Sequence, residues 1–363
     1  MSTLNSVLGW IRRNERRLAS VVFVAGFAGD LLTFTLLDLS FANLVFVAYL
    51  TLAAVATFLS HTISSRFDTE DAVWRRVLAV LAPLAAQYAI GALLSGILIF
   101  YTKSATLAVS WPFIAMLALV FLGNEVFRGY RAHLAFQTVL FFFTLYAYAI
   151  FALPLAIGEI GPWIFLGSTA LASAAFMAFL GLLAWVGWER FRKTIRLIAV
   201  SSAGVVAVLV LCYFTSIIPP IPLTLRDSGI YHNVQHTKEG YVLLAEEERP
   251  WGEFYMPMTI HRAPGTPLYA FSAVFAPGTF STVVAHEWEW YNPDTKKWVR
   301  QSLVAFPLSG GREGGYRGYS QIDGARPGSW RVSIQTPSGQ VIGRIRFEVV
   351  ETLTGPALHT ELR

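Results

Sequence analysis

The chain has 363 residues, of which 55% are hydrophobic and only 14% charged, with a net charge of +5. Charged residues make up about a quarter of an ordinary water-soluble domain, so this composition excludes one as the whole of the chain. From Pro219 onward fourteen Lys and Arg balance fourteen Asp and Glu. The positive excess therefore belongs to the first part of the chain, and without a basic stripe in a polar region nucleic acid is not read as a partner. The single cysteine, Cys212, excludes a disulfide within the chain.

Residues 1–17 interleave Arg12, Arg13, Arg16 and Arg17 with Leu4, Leu8, Trp10 and Ile11, the pattern of an amphipathic segment on a cytoplasmic membrane surface. Residues 18–218 then divide into seven apolar runs: Leu18–Leu37, Phe41–Ser60, Val77–Phe100, Leu107–Gly123, Leu134–Ile157, Trp163–Trp188 and Leu197–Ile218. Each is long enough for a membrane-crossing helix. Thirteen Lys and Arg fall in the N-terminal segment and alternate connections, and Lys103 alone in the opposite ones. The positive-inside rule then places the N-terminus in the cytoplasm and the C-terminal region outside it. Trp10, Trp74, Trp111, Trp163, Trp185 and Trp188 lie at or near run ends, where indoles favour the headgroup level. Ala170, Ala174 and Ala178 offer a small-residue face for helix packing, and Pro83, Pro112 and Pro154 imply kinks.

Polar residues inside these runs are the intramembrane candidates. Asp30 is central in the first run, with Gln87 and Tyr88 in the third. An ionisable group at that depth is a functional candidate by default. Asp38, Glu125 and His133 sit at run ends, where water or headgroups satisfy them. Asp30 supports either a transporter, channel or lipid-handling site or a packed hydrogen-bonding residue; broken helices and an internal repeat, the usual companions of transport, are not evident.

Residues 219–250 read as a stalk and linker opening on Pro219-Pro220-Ile221-Pro222, and 251–363 as a β domain. Alternating segments predict strands at Tyr241–Glu246, Glu253–His261, Leu268–Ala276, Val283–Tyr291, Lys297–Phe306, Gly315–Ile322, Ser329–Thr336 and Gln340–Val350. Turn sequences such as Asn292-Pro293-Asp294 and Pro337-Ser338-Gly339 separate them. The fold class expected is an all-α membrane bundle of seven helices followed by an all-β sandwich of immunoglobulin-like shape.

Within that domain, His286-Glu287-Trp288, Gly310-Gly311-Arg312, Tyr316-Arg317-Gly318-Tyr319-Ser320, Gly328-Ser329-Trp330-Arg331-Val332, Gly339-Gln340-Val341-Ile342-Gly343 and Phe347 resemble the bacterial family catalogued as domain of unknown function 2914. The resemblance runs from about Val283 to Val349, and the preceding runs look like the multi-span region that accompanies this domain in some proteins. It implies a bacterial cell and an extracytoplasmic β domain; with the orientation above, the location expected is the inner membrane with the β domain in the periplasm. It implies no activity and no catalytic residue.

Among candidate sites, His286 lacks the second histidine of a zinc-protease helix, and a strand sends Glu287 to the other face. It reads as a packed histidine. His232 and His236, with His261 or Glu239, have ligand chemistry but lie in a polar linker, so no metal is expected. The glycines from Gly310 to Gly318 lack the Lys and Ser/Thr of a phosphate loop, and no cofactor is expected. No nucleophile, base and orienter stand in recognisable order, so an enzyme is not expected. The contact surface expected is Trp288, Trp290, Arg312, Tyr316, Arg317 and Tyr319, because aromatic rings and arginines suit interfaces. The partner would be an envelope protein, a glycan or a lipid, beside the bilayer itself, with self-association left open.

Overall fold

The structure, a computed structural model, describes residues 27–31, 39–66, 73–104, 107–126, 134–220, 222–238, 240–246, 258–277, 280–312, 314–353 and 355–363. After a helical turn at 27–31 come α1 (Leu39–Arg66), α2 (Val73–Ser104), α3 (Leu107–Val126), α4 (Leu134–Ile157) and α5 (Pro162–Phe214). Their apolar sequences make them helical in any environment that denies water to the backbone. Among the described residues four stretches are long and apolar enough to cross a membrane: Phe41–Ser65, Val77–Thr102, Leu134–Ile157 and Pro162–Phe214. Ser110–Asn124 in α3 is a shorter apolar stretch. Of the seven runs expected, most of Leu18–Leu37 lies outside the described residues, and the last two share α5.

That sharing has a geometric cause. Gly187 interrupts α5 with non-helical angles, φ −149° and ψ 64°. The rings of Phe165 and Tyr213 stack at 3.8 Å, whereas a straight helix would hold them about 70 Å apart. The chain therefore turns back on itself within α5. A Cβ at Gly187 would overlap the side chains of Ser65 and His61, so only glycine allows the end of α1 to approach so closely.

The residues group into two compact units: Met1–Tyr101, Ile114–Ala152 and Leu166–Leu211 form the first, and Thr102–Phe113, Leu153–Phe165 and Cys212–Arg363 the second. Aromatic packing dominates the first unit, with Phe142 on Phe176 at 4.4 Å and Phe141 on Phe179 at 4.9 Å. Some of its polar groups find partners across helices: Tyr146 Oη and Thr169 Oγ1 lie 2.7 Å apart, and Tyr101 donates to the Ala147 carbonyl at 3.2 Å. Ser168 and Ala172 face inward. Ala170, Ala174 and Ala178 instead face outward, which corrects the packing role expected of them: the aromatic residues one position round the helix fill the interior. Trp74, Trp111, Trp163, Trp185 and Trp188 are all exposed.

In the second unit the proline run does not stand free. Pro219, Pro220 and Pro222 are buried, Leu223 donates to the Pro220 carbonyl, and Leu223 itself belongs to the core. Eleven strands follow among the described residues: β1 (Thr224–Tyr231), β2 (Asn233–Thr237), β3 (Gly240–Glu246), β4 (Met258–Arg262), β5 (Leu268–Phe275), β6 (Ser281–Asn292), β7 (Lys297–Ser309), β8 (Tyr316–Ile322), β9 (Gly328–Gln335), β10 (Val341–Glu351) and β11 (Leu358–Leu362). β1 and β2 lie where the composition suggests linker; β3 is the strand expected there.

The strands form three sheets, ordered β1-β5-β8, β4-β10-β9-β6-β7 and β11-β3-β2. The first packs on the second through Ile230, Leu268, Trp288, Trp330, Val332 and Phe347. Its other face meets the third sheet through Tyr231, Val234, Leu243 and Phe271. The arrangement is a sandwich with an added outer layer, and its middle sheet is buried on both sides.

Candidate functional site

β8 and the loop before it carry four of the six residues expected to form a contact surface, Arg312 in the loop and Tyr316, Arg317 and Tyr319 on the strand. Alternation along the strand turns Tyr316, Gly318, Ser320 and Ile322 to the core side and leaves Arg317 and Tyr319 facing the other way. Gly318 fits there because the Phe306 ring occupies the space a side chain would need. Tyr319, 41% exposed, lies 6.2 Å from Tyr241 on β3 and 6.4 Å from Tyr269 on β5. Tyr241 donates to the Arg317 carbonyl at 3.4 Å, and His236 on β2 lies 4.7 Å from its ring. The Arg312 guanidinium sits 5.7 Å over the Tyr316 ring. The glycine loop before β8 is tied down: Gly310 donates to Phe280, Gly311 to Ala276 and Gly315 to Arg312, each through backbone.

Burial, then Tyr316 and Tyr319, raise the Tyr241 phenol above its ordinary range, while Arg312 and Arg317 act the other way. Among the described residues neither arginine has a carboxylate partner. The patch can therefore present two guanidinium forks and several tyrosine faces to an anionic or planar group. Tyr241 and Tyr269 are absent from the contact surface read from the sequence, and His236 enters that reading only as a metal-ligand candidate. They come from separate strands and only the third sheet delivers two of them, so no local spacing signals the grouping.

Trp288 does not belong to this surface. Its side chain is fully enclosed, 0% exposed, against Trp330 and Phe347. Trp290 packs with the core cluster that holds Ile322, whereas Tyr316 packs with the one that holds Val284; Tyr316 and Ile322 end a strand about 20 Å long. Trp290 donates to the Pro327 carbonyl at 3.2 Å and carries Arg326 over its ring at 5.5 Å. Both tryptophans thus have structural work away from the Arg312 loop.

His286 is likewise 0% exposed. Its Nε2 meets Ser272 Oγ on β5 at 2.7 Å and its Nδ1 meets Ser320 Oγ on β8 at 2.9 Å, where Trp288 Nε1 also donates at 2.9 Å. The imidazole pins two sheets together, and burial pushes its pKa down to about 4.

Residues 281–349 match the family model described as Protein of unknown function (DUF2914). The match takes in β6 to β10, with His286, Trp288 and the Arg312–Tyr319 stretch, and stops short of Tyr241 and Tyr269. No curated protein matches the chain. A β-glucosidase from Listeria innocua is 13% identical at a TM-score of 0.19, over 30% of this chain and 16% of its own length. An immunoglobulin-like protein from Pseudomonas aeruginosa is 12% identical at 0.19, over 36% of this chain and 92% of its own. An alkylpurine DNA glycosylase from Pseudomonas fluorescens is 12% identical at 0.22, over 81% of this chain and 76% of its own. At such scores these likenesses carry no argument.

His232 and His261 converge on one carboxylate: His232 Nε2 lies 2.8 Å from Glu246 Oε1, and His261 Nδ1 2.9 Å from Oε2. His236, tilted against the Tyr241 ring, is not with them. Among the described residues no group of three or more His, Cys, Asp and Glu is arranged to hold a metal. In the first unit Asp30 shares the surroundings of Tyr49, whose hydroxyl is 3.4 Å from that of Tyr88; Gln87 is half-buried. Asp38 and His133 lie outside the described residues. His61 is a buried polar residue that run boundaries hide, since the apolar run ends at Ser60. Its Nε2 donates to the Leu183 carbonyl at 3.0 Å, and its Nδ1 has no hydrogen-bond partner among the described residues.

Proposed function

We propose that the chain is a bacterial inner-membrane protein, N-terminus in the cytoplasm, whose seven spans hold a periplasmic β domain of immunoglobulin-like general shape. That domain binds or assembles with an envelope protein, glycan or lipid and is not an enzyme. The observation that carries the binding reading is the Arg312–Tyr319 surface, with two guanidiniums lacking carboxylates among the described residues and tyrosines from three strands around them. The reversal within α5 supports counting its two arms as separate spans. Exposed tryptophans at helix ends suit the headgroup level, and the thirteen basic residues on alternate connections support the orientation.

A second reading, a transporter, channel or lipid-handling bundle, is favoured by Asp30 beside the Tyr49–Tyr88 hydroxyl pair. Native mass spectrometry of the full chain, gently extracted from its own membranes, separates the two. A second component at fixed stoichiometry, lost in Arg312→Ala/Arg317→Ala and kept in Asp30→Asn, is expected. A component kept in the arginine variant and lost in Asp30→Asn would overturn the binding reading in favour of the bundle.

A further inference from the structure

The outward face of the five-stranded sheet carries charge that its own ion pairs leave incomplete. The register sets Arg346 on β10 opposite Arg331 on β9, and Arg331 opposite Glu289 on β6. In the neighbouring row Arg344 stands opposite Ser333, and Ser333 opposite Glu287. Both carboxylates are engaged. Arg331 donates through Nε and Nη2 to Glu289 at 2.5 and 2.7 Å, and Arg300 donates through Nε to Glu287 at 2.5 Å. Arg331 is further fixed 4.5 Å over the Trp298 ring.

Arg344 and Arg346 make no ion pair among the described residues, and neither does Glu348, the next outward residue on β10. Arg344 is half-buried and uses Nε on Ser333 Oγ at 3.0 Å. Burial, and then the closeness of Arg331 and Arg346, lower its guanidinium pKa; Glu289 and Glu287 act in the opposite sense. Like charges directly opposite in a sheet are destabilising, and a desolvated cation without a counter-ion more so. An anion resting on the cluster would relieve both.

We propose that Arg331, Arg344 and Arg346 form a binding site for the phosphate of an anionic lipid headgroup. A phosphate offers oxygens in several directions to several guanidinium forks, whereas a carboxylate offers two in one plane. Leu303 on β7 stands opposite Glu287 on the same face and is 50% exposed. It gives apolar surface beside the cations, suited to the glycerol and upper acyl carbons of a lipid and of no use to free phosphate. The site lies on a different sheet from Arg312 and Arg317, so it is separate from the surface of the proposed function.

The test titrates the full chain, in an uncharged detergent at about 0.15 M salt, with dihexanoyl phosphatidic acid, dihexanoyl glycerol and inorganic phosphate. Saturable binding of the phosphatidic acid is expected, with the phosphate-free diacylglycerol not binding and inorganic phosphate weaker. Arg344→Gln and Arg346→Gln should each weaken it about tenfold. Arg346 is exposed, so Arg346→Gln reads the site even where Arg344→Gln lowers stability. Unchanged affinity in both variants would overturn the site, and equal affinity for inorganic phosphate would overturn the lipid. Loss only in Arg312→Ala/Arg317→Ala would move the binding to the other surface.

Discussion

His286 occupies a place where a charge has no solvent to stabilise it. Its hydrogen-bond inventory closes with a neutral ring: Ser320 accepts from Trp288 and donates to Nδ1, while Nε2–H donates to Ser272. Because the folded-state pKa is depressed to about 4 from 6.5, the unfolded chain binds the extra proton between those values. Stability contributed by the neutral ring is therefore present above pH 6.5 and is lost as pH falls towards 4, by roughly 3 kcal/mol. Denaturation followed by near-ultraviolet circular dichroism should show that loss in the parent protein. His286→Gln should lack most of this pH-dependence; the same slope in both proteins would refute the assignment. The alternation that sets His286, Trp288 and Trp290 on one face is legible in the sequence. Tryptophan serves cores and interfaces alike, so only the placement of β6 against β5 and β8 shows that Trp288 is closed to a partner.

Among the elements, α5 depends most on one residue. Two apolar runs joined by Glu189, Arg190, Arg192, Lys193 and Arg196 read as two spans with a polar connection, yet helical structure continues through the basic stretch and the break falls at Gly187. Arg192 and Glu189 pair at 2.7 Å, a helical i, i+3 contact that keeps those residues in the second arm. Gly187→Leu should force Ser65 and His61 apart and lower the stability of the full chain in detergent by about 1–3 kcal/mol. Gly181, with open space around it, should accept alanine without loss. Thermal unfolding of the two variants side by side checks this, and equal melting points would show that the close approach at Gly187 is dispensable. Among the strands, those with regular alternation and turn residues were open to sequence reasoning. β1, β2 and β11 were not, because polar side chains such as Arg226, Asp227, Gln235 and Glu361 dilute the pattern, and the partners of β1 and β11 lie far along the chain.

At the scale of the whole molecule, the division into an apolar helical region and a β region is legible from composition alone, because water and lipid sort residues so strongly. The third sheet is not, since it joins residues just after the proline run to the last strand. The proposed orientation has a direct check in a Cys212→Ser background. A cysteine at Asp294, in the exposed β6–β7 turn, should react with a membrane-impermeant maleimide from the periplasmic side. One at Ser64, at the exposed end of α1, should react only after the cells are broken. The reverse pattern would invert the topology. The third sheet also sets a clock. β3 finds one neighbour at once in β2, but its other edge waits for β11, which the main-chain bonds between Tyr241 and Arg363 also tie to it. At about 5–20 residues per second, synthesis leaves that edge open for roughly ten seconds. During that interval the nascent domain carries an unpaired strand that any extended chain could extend, so the closing of β11 ends the period in which mispairing competes with folding.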